Sequence, residues 1–261
     1  MTQTPVYLHA EGEVAHLVLN RPERRNALSR AMWRSIADLV QRVAEDKKLK
    51  VLVVRGADSS AFAAGADISE FDEVYATEES TREYSEGIAA AMRALVELDK
   101  ATVAMIQGPC VGGGCALALA CDVRFADRSA RLGITPAKLG LAYTLEDTKR
   151  LVDVVGPSVA KDILFTGRIA DAEEAYRIGL IDRLYGPSEL ADQTRSWAAD
   201  VAAASQFSVR MVKRTVRRIL NGQTEDDSAT RRDFFDAFRS PDFAEGTAAF
   251  LEKRKPRFPY A

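Results

Sequence analysis

Histidine and cysteine are scarce in this 261-residue chain, with two of the first and three of the second. Cys110, Cys115 and Cys121 match neither a CxxC pair nor a zinc-cage spacing, so reduced thiols in a cytoplasmic protein are expected, with no metal site. His9 and His16 lie in the opening strand pair, and His16 sits inside the apolar run from 14 to 19, where a histidine reads as a structural strand residue. No GxSxG elbow, Walker A loop or HExxH helix occurs, which removes serine triads, P-loop chemistry and helical zinc sites. Neither sign of charge dominates. Lys plus Arg number 36 against 38 for Asp plus Glu, so neither nucleic acid nor an anionic membrane is an expected partner. No apolar run approaches the roughly 20 residues of a membrane-spanning helix, and the first residues lack a charged-then-apolar leader.

What is present is an ordinary globular balance, 47% hydrophobic and 28% charged, with room for one large domain and a helical appendage. Val51-Leu52-Val53-Val54 and Thr102-Val103-Ala104-Met105-Ile106 read as buried strands, like the run at 14–19. Between them, Met32, Trp33, Ile36, Leu39, Val40 and Val43 recur at helical spacing, as do Ile88, Ala91, Met92, Leu95 and Val96. Alternating strands and helices predict an α/β fold with parallel pairing. Beyond residue 156 the strands thin out. Gly156-Pro157-Ser158 is expected to open a helix, Asp171-Ala172-Glu173-Glu174 to cap one that stops at Gly179, and Ser240-Pro241 to start the last. Leu190, Thr194, Trp197 and Val201 mark one further helix, and Val212, Val216, Ile219 and Leu220 another. Arg210, Lys213, Arg214, Arg217 and Arg218 surround the latter and read as a solvated face, with phosphate attraction the alternative. The expected division is a core over 1–195 and a helical region over 196–261.

Two small-residue segments stand out, Ala61-Phe62-Ala63-Ala64-Gly65-Ala66-Asp67-Ile68 and Gly108-Pro109-Cys110-Val111-Gly112-Gly113-Gly114-Cys115-Ala116. Each follows a strand and leads towards a helix, so a ligand can approach its backbone closely. Two amides converging on one carbonyl oxygen would stabilise an oxyanion, each contributing about 3–4 kcal/mol. Tight helix–strand packing explains the same composition equally well.

Together with Asn20-Arg21-Pro22-Glu23-Arg24-Arg25-Asn26-Ala27-Leu28 and the segments 171–180 and 250–258, these runs resemble the crotonase (enoyl-CoA hydratase/isomerase) superfamily along nearly the whole chain. The resemblance implies a spiral of ββα units, a C-terminal helical trimerisation region, a homotrimer or dimer of trimers, and an acyl-CoA thioester as substrate. Coenzyme A then enters as part of the substrate, with no separate cofactor. The resemblance also implies that the Ala66 and Gly113 N–H groups hold the thioester oxygen. Arg24, Arg25, Ala27, Ala64, Asp67, Ile68 and Gly112 would line the substrate and CoA path.

The sequence departs from the family's hydratases at both catalytic glutamates. Ala116 stands at the first position and Pro136 at the second, and neither side chain transfers a proton. The segment from Thr135 to Tyr143 resembles methylmalonyl-CoA decarboxylases, which carry a tyrosine at the place of Tyr143, although they have a histidine where this chain has Ala66. Decarboxylation of a malonyl-type thioester needs only an oxyanion hole and an oriented carboxylate, so the missing glutamates do not oppose it. On this reading Tyr143 hydrogen-bonds the departing carboxylate or protonates the enolate; lining an acyl pocket is the alternative. Glu146 and Asp147 are the other candidates, as bases for hydration or isomerisation if they point inward, or as an exposed helix start paired with Lys149 and Arg150. A non-catalytic acyl-CoA-binding oligomer is the rival from a different class.

Overall fold

In a computed structural model of the chain, residues 4–259 are described. The chain opens with β1 (Val6–Glu11) and β2 (Val14–Leu19), then α1 (Arg30–Glu45), β3 (Val51–Gly56), α2 (Phe71–Val74) and α3 (Glu78–Glu97). There follow β4 (Ala101–Ile106), β5 (Pro109–Val111), α4 (Gly113–Leu119), β6 (Val123–Asp127) and β7 (Arg131–Gly133). Next come α5 (Leu145–Thr166), β8 (Ile169–Asp171), α6 (Ala172–Arg177) and β9 (Arg183–Tyr185). The chain ends in α7 (Leu190–Ala203), α8 (Gln206–Leu220), α9 (Ser228–Ala237) and α10 (Pro241–Leu251).

The larger sheet has the order β1-β2-β3-β4-β6-β9, antiparallel only between β1 and β2 and parallel elsewhere. Its central strands are apolar on both faces because both are covered. Leu52, Val54 and Ala104 point to the side where α1 and α3 pack, with Met32, Trp33, Ile36, Met92 and Leu95. Val53, Val103 and Phe125 point to the other side, against Leu190 and Trp197 of α7. The two-residue period of a strand therefore feeds two separate apolar layers. The expected core–tail division at 195 falls inside α7.

A second sheet, β5-β7-β8, is built from three-residue strands too short to carry a periodic signal, and the sequence reading lacks it. The helix expected to begin at Gly156 begins earlier, at Leu145, capped by the Thr144 side chain accepting from the Asp147 N–H. Gly156 (φ 75, ψ 163) breaks it, and Pro157, which lacks an N–H, starts its second half. At Asp171 only half of the capping box forms, since its carboxylate accepts from the Glu174 N–H at 2.9 Å while the Glu174 carboxylate turns to Arg168 at 2.7 Å.

The α8 expectation is reversed. Its cations face the body of the protein: Lys213 donates to the Lys100 carbonyl and Asp122, both at 2.9 Å, Arg217 to the Val96 carbonyl at 3.4 Å, and Arg214 lies 3.8 Å from Asp99. Val212, Val216, Ile219 and Leu220 are exposed instead. The underlying surface around 96–100 and 122 offers carbonyls and carboxylates, so the cations satisfy it and the apolar stripe is left outward.

Candidate active site

Three stretches of chain run side by side at the carboxyl ends of β3 and β4. The first is held to the second by hydrogen bonds from the Ala64 N–H to the Arg25 carbonyl (2.9 Å), the Leu28 N–H to the Gly65 carbonyl (2.7 Å) and the Asp67 N–H to the Leu28 carbonyl (3.0 Å). The second is held to the third by the Ala63 N–H on the Pro109 carbonyl (3.0 Å) and the Val111 N–H on the Ala63 carbonyl (2.9 Å). Leu28 pairs in parallel with Ala66, and Ala63 with Cys110. In a parallel bridge the residue flanked by the bonded groups turns its own amide away. The Ala66 N–H therefore lies on the edge opposite Leu28, the edge on which the 110–113 stretch runs. Among the described residues neither the Ala66 N–H nor the Gly113 N–H donates to a protein acceptor.

The closeness of these stretches explains their composition. A Cβ on Gly114 would lie 2.4 Å from the Ala63 carbonyl oxygen, and one on Gly65 would lie 3.3 Å from the Val111 carbonyl oxygen. Gly112 adopts φ 53, ψ −118, a left-handed conformation that an L side chain resists. Ala64, Ala66, Gly112 and Gly113 are half-buried, whereas Ala63, Gly65 and Gly114 beside them are buried. Accessible backbone thus sits on a rigid apolar footing.

Asn26, which the sequence reading passed over, clamps the first stretch. Fully buried and left-handed (φ 55), it accepts from the Arg21 N–H at 2.8 Å and donates to the Ala61 carbonyl at 2.8 Å. Its signal was an asparagine, one of the few non-glycine residues that tolerate this conformation. Asp67 is a second clamp: it pairs with Arg21 at 2.9 Å and accepts from the Ser69 hydroxyl at 2.6 Å. Burial pushes its carboxyl up, but Ser69 and Arg21 outweigh that and hold it below the usual range. Asp67 is thereby committed to structure. Arg24, Arg25 and Ile68 are exposed at the rim, and Ala27 is half-buried.

The other candidates separate. The Tyr143 hydroxyl donates to the Gly112 carbonyl at 2.6 Å, which brings it to the loop carrying Gly113. Burial pushes its phenol well above the ordinary value, with further upward contributions from Cys115, Asp147 and Cys110. Glu146 is exposed and 3.4 Å from Arg150. Asp147 accepts from the Thr144 hydroxyl at 2.8 Å and pairs with Arg150 at 2.6 Å, while Lys149 pairs with Asp153. Both acids serve the first turn of α5. Ala116 is buried in α4 and Pro136 opens a short 3-10 turn, so neither place holds a carboxylate. Among the described residues no three His, Cys, Asp or Glu side chains gather as metal ligands, and no helix is long and apolar enough to cross a membrane. A groove of about 610 Å³ lies on the opposite face of the large sheet, between α7 and β2–β4, and none of these residues lines it.

The fold and the paired small-residue loops can be compared with known proteins. Residues 9–260 match the enoyl-CoA hydratase/isomerase family. The chain belongs to that family. It is 33% identical to the crotonyl-CoA hydratase of Syntrophomonas wolfei over 259 residues, 99% of each chain. It is 36% identical to a putative enoyl-CoA hydratase of Thermus thermophilus over 252 residues, covering 95% of this chain and 98% of the other. A crystal structure of a putative enoyl-CoA hydratase/isomerase family protein from Hyphomonas neptunium superposes with a TM-score of 0.96 at 46% identity, covering 99% and 98% of the two chains. The crotonase α/β fold with C-terminal helices is therefore established, and the chain is an enzyme-family member of the enoyl-CoA hydratase/isomerase type.

Proposed function

We propose that this family member decarboxylates a malonyl-type CoA thioester, with the thioester oxygen accepting from the Ala66 and Gly113 N–H groups. The observation that carries the reading is a pair of uncommitted, half-buried amides on adjacent stretches, while the two candidate bases, Glu146 and Asp147, are both paired with Arg150. In the reaction the bond between the α carbon and the carboxylate breaks, CO2 leaves, and its electron pair passes into the thioester as an enolate. The two amides stabilise that oxygen more strongly than the ground-state carbonyl, which is the requirement for catalysis. The single phenolic hydrogen of Tyr143 is engaged by Gly112, so the α carbon takes its proton from water. Arg24, Arg25, Ala27 and Ala64 are assigned to the CoA path, with Ile68 at its mouth and Gly112 against the thioester.

Hydration or isomerisation is the second reading, favoured by the hydratase names of the relatives. It would draw on Glu146 or Asp147, whose ion pairs with Arg150 oppose it. A protein that binds acyl-CoA without chemistry is the third reading; an exposed Glu146 and a Tyr143 hydroxyl spent on the Gly112 carbonyl are compatible with it, and CO2 release would exclude it. We also assign the exposed Val212, Ile219, Phe234, Phe238 and Phe250 of α8–α10 to subunit contacts in a homotrimer or dimer of trimers. Purified protein given methylmalonyl-CoA or ethylmalonyl-CoA should release CO2, and Gly113→Pro, which deletes one donor, should abolish release. No CO2 from either thioester, with crotonyl-CoA hydrated instead, would overturn the proposal.

A further inference from the structure

We propose that Tyr143 is a positioning residue that acts on the substrate through the peptide group joining Gly112 to Gly113. This rests on the oxyanion reading above, though not on which reaction follows. The Gly112 carbonyl and the Gly113 N–H are two ends of one planar, resonant peptide unit and point in opposite directions. A donor on the oxygen end therefore does two things to the nitrogen end. It fixes the plane, and so the direction in which the N–H points. It also draws electron density towards oxygen, making the N–H a stronger donor, by about 10–30% per bond in a hydrogen-bonded chain.

This peptide needs such a fixture. Gly112 sits at φ 53, ψ −118 and has no side chain, and among the described residues its hydrogen bonds run to backbone groups and to Tyr143. Its N–H donates to the Gly133 carbonyl at 2.8 Å, and its carbonyl accepts from the Ala116 N–H at 3.0 Å and from the Tyr143 hydroxyl at 2.6 Å. The phenol makes the shortest of the three contacts and is the one supplied by a side chain. Tyr143 itself is anchored against the core, just before the Thr144 cap that starts α5. A phenol suits this position because it has one hydrogen to donate, and burial keeps it protonated. The chain tyrosine, peptide, thioester oxygen then forms a relay of hydrogen bonds ending on the developing charge.

The test reads the bound carbonyl directly. Propionyl-CoA carrying 13C at its carbonyl is bound to the full-length protein, and its stretching frequency is taken from the infrared difference against the 12C compound. Binding to the parent should move the stretch to lower frequency than in solution. Tyr143→Phe should shrink that shift while changing affinity less than about threefold, because most of the ligand is held elsewhere. Fluorotyrosines at 143, stronger donors of the same shape, should enlarge the shift in order of falling phenol pKa. In turnover, Tyr143→Phe should lower kcat by about 10-fold or more with KM little changed, since the effect grows with charge on oxygen. A tyrosine that only fills space would leave the carbonyl frequency unchanged across the fluorotyrosine series, and that result overturns the proposal. No shift in the parent at saturating ligand would instead remove the oxyanion reading, and this inference with it. A normal shift without CO2 release would leave the relay standing and sink only the decarboxylase assignment.

Discussion

Gly114→Ala is the sharpest probe of how the two loops are held together. The added Cβ would lie 2.4 Å from the Ala63 carbonyl oxygen and 2.8 Å from the Ala63 Cβ. Both stretches are tied by backbone hydrogen bonds, so no flexible side chain can yield, and the two must part by about 1 Å to reach ordinary contact. Overpacking of this kind costs about 1–3 kcal/mol, or roughly 2–12 °C in Tm for a domain of this size. The same displacement moves the Ala66 segment away from Gly113, and losing one aligned oxyanion donor costs about 10²–10³ in kcat. Gly113→Ala is the internal control. Its Cβ meets the Trp33 ring at 3.1 Å and a Leu28 methyl at 3.7 Å, so the neighbours need give by only a few tenths of an ångström and its Tm should fall less. Thermal unfolding with CO2 release, measured on both variants, decides the matter. Gly114→Ala matching the parent within about 0.5 kcal/mol would refute the close approach from which the site is built.

Asn26→Ala should destabilise by about 2–4 kcal/mol in urea unfolding, because it leaves the Arg21 N–H and the buried Ala61 carbonyl unpaired and strains a left-handed position; a loss below about 0.5 kcal/mol would contradict the clamp. Glu146→Gln should keep CO2 release within about twofold, since an exposed pair with Arg150 contributes little; a loss of a hundredfold would bring back the acid–base reading. Lys100 is buried, with its ammonium donating to the Val43 and Asp46 carbonyls, and burial pushes its pKa down to about 8 with Arg210 adding to the shift. The unfolded chain thus holds a proton that the folded protein gives up first, so unfolding free energy should rise between about pH 8 and 10.5. Lys100→Met should lack that rise in urea midpoints taken across the window, and an identical slope in parent and variant would assign the shift elsewhere.

The large sheet and most helices were legible because their signals are local and repeated. Strands such as 51–56 are apolar on both faces, and α1 and α3 carry a continuous stripe. The small-residue loops were legible as loops. The physical reason for glycine at 114 was not, since it is a carbonyl fifty-one positions earlier in the chain. The same limit hid the second sheet, whose three-residue strands pair only through the fold, and the role of Asn26, whose partners lie at 21 and 61. On α8 the periodicity marked the two faces correctly but not which one turns inward, because the receiving surface is supplied by residues 96–100 and 122.

By itself the sequence determined the α/β class, the family, and that positions 116 and 136 hold alanine and proline, neither of which transfers a proton. A side chain that is absent cannot be restored by folding, so that conclusion needed no coordinates. Only the tertiary structure decided where the remaining polar groups spend their hydrogen bonds. It ties Glu146 and Asp147 to Arg150, sets the Tyr143 hydroxyl on the Gly112 carbonyl, and leaves the Ala66 and Gly113 amides uncommitted. Hydrogen bonds form over about 3 Å between groups far apart in the chain, and no periodicity along the chain encodes that distance.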